Sequence, residues 1–447
     1  MMRVSSRLET GGSRGAPLGA LGLEPRAIFI VLSAGIFCLS LNGCASWPRR
    51  WGAHPCCIET KPLVKRQPIW WHLFDVTVLD PLETPLHAAR PFRRMMGVPI
   101  RAYNLRDGKV SNSAFFTDRD PAQLAPEEVS RGPTRPEDLS RPPFVVTKLK
   151  SEGKTPGFFV TDAKGKRYLF KLDPIKAPEL LSGAEAVTSK LLYALGYHVP
   201  SDEVVLVEPT SLQIGPNVTR QEIDGQVHPF GEAELQALLS GRIRDGRLRV
   251  VASKILDGDI LGPASFKRFR DCADVRALKV AYAWVNNIDA KDHNSLLVWN
   301  GAETVGYLID FGTSLGADAG LAGPKSPCAG WMNIVDLKEA SLRLLTLGLH
   351  HPPCDVPQPP VGPSVGFFSA HVDPDAWKPY APNLAFQEMD HDDARWMAHR
   401  LARLTHAQIE AAVAAGRYSN PADAAYLVDM LERRRNAIVQ RYLGKGS

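Results

Sequence analysis

The strongest constraint on this chain is the order in which four charged residues are set into apolar elements. Three β-rich runs begin at Phe144, reading FVVTKLK, GFFVTD and RYLFKLD, with Gly and Pro signals and a turn at Ala163 to Gly165 between them. They predict an antiparallel meander. A helix follows, with Pro178 in its first turn, Leu181, Ala184, Val187, Leu191 and Leu195 at helical spacing, and Gly196 closing it. Lys171 stands on the third run, on the same face as Leu169, so a packed stem would carry its ammonium into a cleft. Glu185 lies midway along the helix, where an ion pair with Lys171 would fix both elements. Glu179 competes for the lysine, although an acidic residue at a helix N-terminus is expected from the helix dipole alone.

Further strands lead through RLRVVASKIL to a Gly-rich connector, Asp257 to Gly262, beyond which the chain reads as mainly helical. The apolar helix ALKVAYAWV, ending at Val285, runs into D-x-K-x-x-N: Asp289, Lys291 and Asn294. The spacing lets Asp289 and Asn294 point into one cleft from a single loop. A buried strand, GYLI, then delivers Asp310-Phe311-Gly312. Taken singly, Asp and Asn favour turns and Gly ends strands. Their joint order, after a strand lysine and a helix glutamate, predicts a two-lobed α+β fold of the protein-kinase-like type. Its β-rich N-lobe would cover residues 144–256 and its helical C-lobe residues 257–447.

Phosphoryl transfer asks for cations near phosphate, oxygen ligands for magnesium and a group that orients the acceptor. Lys171, held by Glu185, meets the first demand; Asn294 and Asp310 meet the second. Asp289 would orient the acceptor and take its proton, and Lys291 would neutralise the transferring phosphoryl group. ATP or another nucleotide, with Mg, is the implied cofactor set. SEGKTPGFFV (Ser151 to Val160) supplies Gly153 and Gly157 for a phosphate cradle, but it lacks the G-x-G-x-x-G form, and a β-turn explains it equally well.

The ends of the chain bear on its compartment. Ala27 to Leu41 is uncharged, too short for a comfortable bilayer span and suited to a signal-peptide core. Leu41-Asn42-Gly43-Cys44 resembles a bacterial lipobox, which predicts removal of residues 1–43 and membrane anchoring through lipidated Cys44, outside the cytoplasm in the cell envelope. Residues 44–143, rich in Pro, Arg and Trp, read as a tether and an irregular packing extension. Removing residues 1–43, with four arginines and two glutamates, lowers the formal net charge from +5 to +3, too little to imply a nucleic-acid partner. The remaining cysteines, Cys56, Cys57, Cys272, Cys328 and Cys354, allow one or two disulfides and fit no zinc framework. HHPPCDVPQPPVGP (His350 to Pro363) is a loop, because its six prolines forbid regular structure; His350, His351 and Cys354 within it read as loop residues before metal ligands. Near the C-terminus, Thr405 and Gln408 form a capping-box pair and Asn420-Pro421 starts a last helix. Its Leu427, Leu431, Ile438 and Tyr442 share a face, and Arg433 to Arg435 read as a solvated flank.

The segments GKVSNSAFFTDRDP, TPGFFVTDAKGKRYLFKLDP, ELLSGAEAVTSKLLYALGYHVP, YLIDFGTSLG and AYLVDMLERRRNAIVQRYL resemble a group of bacterial exported proteins with a kinase-like core. The core is similar to atypical kinases, among them the HipA-like, spore-coat CotH-type and lipid kinases, which share N-x-D-x-x-x-x-N, here Asn287, Asp289 and Asn294. The resemblance implies ATP-site roles for Lys171, Asp289, Asn294 and Asp310. No His-Arg precedes Asp289 and no Ala-Pro-Glu follows Asp310, so a phosphorylation-switched loop and a peptide-docking platform are unsupported and the acceptor stays open. Two classes of function follow: an envelope-facing phosphotransferase, or nucleotidyl transferase with the nucleotide reversed, and a pseudokinase or ligand-binding scaffold without turnover.

Overall fold

The computed structural model describes residues 56–65, 67–80, 89–98, 100–150, 155–221, 226–350 and 361–444. The export segment, Cys44, Gly153, His351 and Cys354 lie outside the described residues. The first lobe is built on strand alternation. β1 (Phe144–Leu149), β2 (Gly157–Thr161) and β3 (Arg167–Leu172) form the expected antiparallel meander. β4 (Asp202–Val207) and β5 (Arg247–Lys254) extend it, giving the order β1-β2-β3-β5-β4. On β3, Tyr168, Phe170 and Leu172 are buried on one face, where they join Phe144, Phe158, Val250 and the helix Glu232–Leu239. Lys171 alternates to the other face. That face receives α1 (Leu180–Ala194), whose Ala186 packs on Val204 and Val251.

α1 begins beyond Pro178, and Glu179 adopts a left-handed φ of 68° just before it. The cause is Asp173 at the end of β3, whose carboxylate accepts from the N–H groups of Glu179, Leu181 and Ser182 at 3.0, 3.1 and 2.8 Å. Free N–H groups of the first turn are thereby satisfied from the sheet. Glu179 turns away from Lys171 and accepts from the Ser419 N–H at 2.9 Å.

The second lobe is less uniformly helical than its sequence suggests. The connector expected over Asp257 to Gly262 contains a strand, β6 (Asp259–Gly262), which pairs with β7 (Ser295–Trp299), itself paired with β8 (Thr304–Leu308). Its partner is remote in sequence, so no local periodicity betrays it. The helices α2 (Ala273–Val285), α3 (His391–Ala402), α4 (His406–Ala414) and α5 (Pro421–Leu443) pack on one another in this lobe. The Thr405 hydroxyl accepts from the Gln408 N–H at 3.3 Å while the Gln408 amide accepts from the Thr405 N–H at 2.8 Å. A further correction concerns Arg433 to Arg435. Arg434 is buried, and its guanidinium donates to the carbonyls of Ala283, Trp284, Ser369 and His371 at 2.6 to 2.7 Å. A planar five-donor fork suits the unpaired carbonyls at the end of α2; neighbours on one helix face different ways, so a charged triplet need not share one environment.

The segment before β1 is packed over its described residues. Phe115, Phe116, Val110 and Val129 belong to the same core as α1, α2 and the C-terminal helices. Asn104 and Ser113 donate to the buried Asp274 of α2 at 2.7 and 2.6 Å. A disulfide joins Cys56 to Cys272, one residue before α2, across 216 residues of chain. No helix among the described residues is long and apolar enough to cross a membrane. Replacing Cys56 and Cys272 together by alanine should cost about 2–5 kcal/mol of stability, seen as a lower melting temperature under non-reducing conditions. An unchanged melting temperature would mean that packing alone holds the segment to α2.

Candidate functional site

Lys171 emerges from β3 between the lobes and meets two carboxylates. Its Nζ lies 2.8 Å from Glu185 Oε1 on α1 and 3.0 Å from Asp310 Oδ1 after β8. Burial works against its ammonium, but Asp310 and Glu185 outweigh burial and raise it above the usual lysine range. For Asp310 burial is likewise opposed, by Lys171 and then by Lys150 and Lys291, and the carboxyl is held well below its ordinary value. Phe311 itself is fully buried. Gly312 is closely approached, since a Cβ there would sit 3.3 Å from the Ala319 Cβ and 3.6 Å from Glu185 Oε2. Asp310 adopts φ 62°, a left-handed conformation that Asp tolerates better than most residues.

The loop after α2 carries the second group. α2 ends at Asn286, in the left-handed conformation with φ 52°. Lys291 Nζ donates to Asp289 Oδ2 at 2.6 Å, and the Asn294 side-chain amide donates to the Asp289 carbonyl at 2.8 Å. The Ile309 N–H donates to the Asn294 carbonyl at 3.0 Å, which brings the residue before Asp310 onto the loop. Asn287 lies below, accepting from the Thr313 hydroxyl at 3.1 Å. Asp289, Asn294 and Asp310 therefore stand on two segments stitched together, and Lys171 and Glu185 are added from the other lobe. Their oxygens suit a hard cation that keeps part of its coordination for phosphate and water. Among the described residues no three His, Cys, Asp or Glu side chains gather as a metal cluster, and His350 pairs instead with Glu339 at 2.8 Å.

Gly157 occupies a different place from the phosphate turn expected of it. It is the first residue of β2, directly across from Lys171, where a Cβ would come within 2.5 Å of the Phe170 carbonyl oxygen. Close backbone approach, more than turn geometry, explains the glycine.

Three contributors carry no sequence signal. Lys325, buried in a Gly/Pro-rich stretch, donates to the carbonyls of Asn286 and Thr313 and so ties the Asp289 loop to the segment after Gly312. Thr155 lines the cleft with Lys171, Glu185, Asp310 and Gly312. Asp202, after Pro200-Ser201, looks like a turn residue, yet it is fully buried at the start of β4. Burial first, and then the Glu185 carboxylate, push it up to about 7. A carboxyl raised in the folded state stabilises below its unfolded value of about 3.9, and that contribution is lost as pH rises through about 7. Asp202→Asn should therefore lose less melting temperature than the wild type when pH is raised across this window. Identical pH slopes would show that Asp202 titrates as an exposed residue does.

No family model matches the chain, and no curated protein matches it. Among solved structures it is similar to the Helicobacter pylori proinflammatory kinase CtkA, at 11% identity over 69% of this chain and 100% of that one, with a TM-score of 0.35. It is also similar to the Golgi casein kinase, at 10% identity over 69% and 75% of the two chains with a TM-score of 0.27, and to that kinase with Mn and ADP bound, at 11% over 69% and 76% with a TM-score of 0.29. These overlaps are loose. What makes the core kinase-like is its own layout: a third-strand lysine paired to a helix glutamate, above a loop with Asp289 and Asn294 and an Asp-Phe-Gly turn.

Proposed function

We propose that the chain is an exported, lipid-anchored phosphotransferase that uses a nucleoside triphosphate and Mg to modify an acceptor hydroxyl or related group. One observation carries the reading: Lys171 bridges Glu185 and Asp310 across the cleft, at 2.8 and 3.0 Å, beside the Asp289–Lys291 pair. A lysine so placed would bind phosphate oxygens, with Glu185 keeping it aimed. Asp310 and Asn294 would hold Mg, which when bound would draw charge from the phosphates and orient the terminal group. Asp289 would accept the acceptor proton as the acceptor oxygen attacks phosphorus and the bond to the leaving diphosphate breaks. Lys291, which binds Asp289 in this structure, would turn to the charge on the transferring group.

Export is supported by the Cys56–Cys272 disulfide, since such bonds persist in oxidising compartments. It agrees with the uncharged run Ala27 to Leu41 and the lipobox-like Cys44. A donor that reaches that compartment is then required.

Protein beginning after Cys44 should gain melting temperature with a nucleoside triphosphate only when Mg is present. Asp310→Ala should abolish that gain. Asp289→Asn should keep the gain and lose turnover, read as nucleotide hydrolysis or self-phosphorylation, by about 10²–10⁴-fold. Equal melting temperatures for the wild type and Asp310→Ala, with and without Mg-ATP, would sink the proposal. Binding without turnover for any donor would instead identify a nucleotide-binding scaffold.

A further inference from the structure

The β1–β2 hairpin puts a second lysine over the cleft. Lys150 directly follows β1, and its N–H donates to the Gly157 carbonyl at 2.9 Å, which closes the hairpin. Its stem crosses Gly157, where a Cβ would lie 3.5 Å from Lys150 Cδ. Gly157 is paired with Lys171, so the stem of Lys150 runs above the strand position from which Lys171 enters the cleft. The ammonium donates to the Thr155 carbonyl at 3.2 Å and to its hydroxyl at 2.8 Å, and Thr155 lines the cleft beside Lys171, Glu185 and Asp310. Both acceptors are neutral. Lys150 nevertheless contributes to holding Asp310 low, while burial pushes Lys150 itself below the usual lysine range.

We propose that Lys150 is a third phosphate-binding cation of this cleft, standing in for the glycine-rich cradle that Ser151 to Val160 lacks. The inference rests on the nucleotide reading of the cleft. A mostly buried ammonium donating to neutral oxygens gains from exchanging one of them for an anionic phosphate oxygen, because charge-assisted hydrogen bonds are shorter and stronger. With Lys171 from β3 and Lys291 from the Asp289 loop, Lys150 is the third cation, on a third element, that acts on Asp310.

The test compares Mg-ATP and adenosine binding by calorimetry for the wild type, Lys150→Met and Lys150→Arg. Lys150→Met should weaken ATP binding about tenfold, or about 1.4 kcal/mol, and leave adenosine binding unchanged; Lys150→Arg should recover most of the loss. Undiminished ATP affinity in Lys150→Met would overturn the assignment. Equal losses for ATP and adenosine would overturn it too, because they would mark a lysine that only shapes the hairpin. A wild type that binds neither would remove the nucleotide reading itself, and this inference with it.

Discussion

The contact on which the rest of the molecule depends is the Lys171 ammonium shared between Glu185 and Asp310. Desolvating an ion costs several kcal/mol, and one carboxylate rarely repays it. Two carboxylates from different lobes do better, so the sheet, α1 and the Asp310 turn must arrive together for any of the three charges to be tolerated where it is. On the function proposed above, this same concentration of charge is what would receive phosphate and a divalent cation.

α1 shows how firmly that geometry is held. All of its residues but Tyr193 are buried, against the sheet on one side and the C-terminal helices on another. Lys190, fully buried, donates to Glu203 Oε1 at 2.5 Å and to the Arg131 carbonyl at 2.8 Å, tying α1 to β4 and to the segment before β1. Across the cleft, Arg434 and Lys325 satisfy the carbonyls from which the Asp289 loop departs. The hydrogen bonds of both cations go to backbone carbonyls. The Asp289 loop thus begins at a capped helix end and is pinned to the segment after Asp-Phe-Gly.

The segment from Cys56 to Pro143 contributes to the same end. By burying Phe115 and Phe116 in the common core and closing a disulfide one residue before α2, it braces the helix that carries the Asp289 loop. Asn104 and Ser113 meet the buried Asp274, so its charge is hydrogen-bonded from the extension.

Local chemistry made a good part of this legible. The alternation of β1 to β3, the helical spacing of α1 and the capping pair Thr405 and Gln408 are short-range patterns, and the backbone follows them because each is satisfied within a few residues; the order Lys171, Glu185, Asp289, Asn294, Asp310 is readable as well, but Lys171 and Asp310 meet across 139 residues of chain. The amino-acid order favours Glu185 over Glu179 but does not show why Glu179 turns away, which depends on Asp173 taking the N–H groups at the start of α1. Nor could it reveal strand β6, the burial of Arg434 or Asp202, the caging of carbonyls by Lys325, or the reach of Lys150 over Gly157. In each case the deciding partner lies far along the chain or across a hairpin, and a side chain's environment is fixed by what packs against it. The sequence alone therefore determined which groups are available for chemistry; tertiary packing decided which of them share a low-dielectric cleft and which are spent on holding it open.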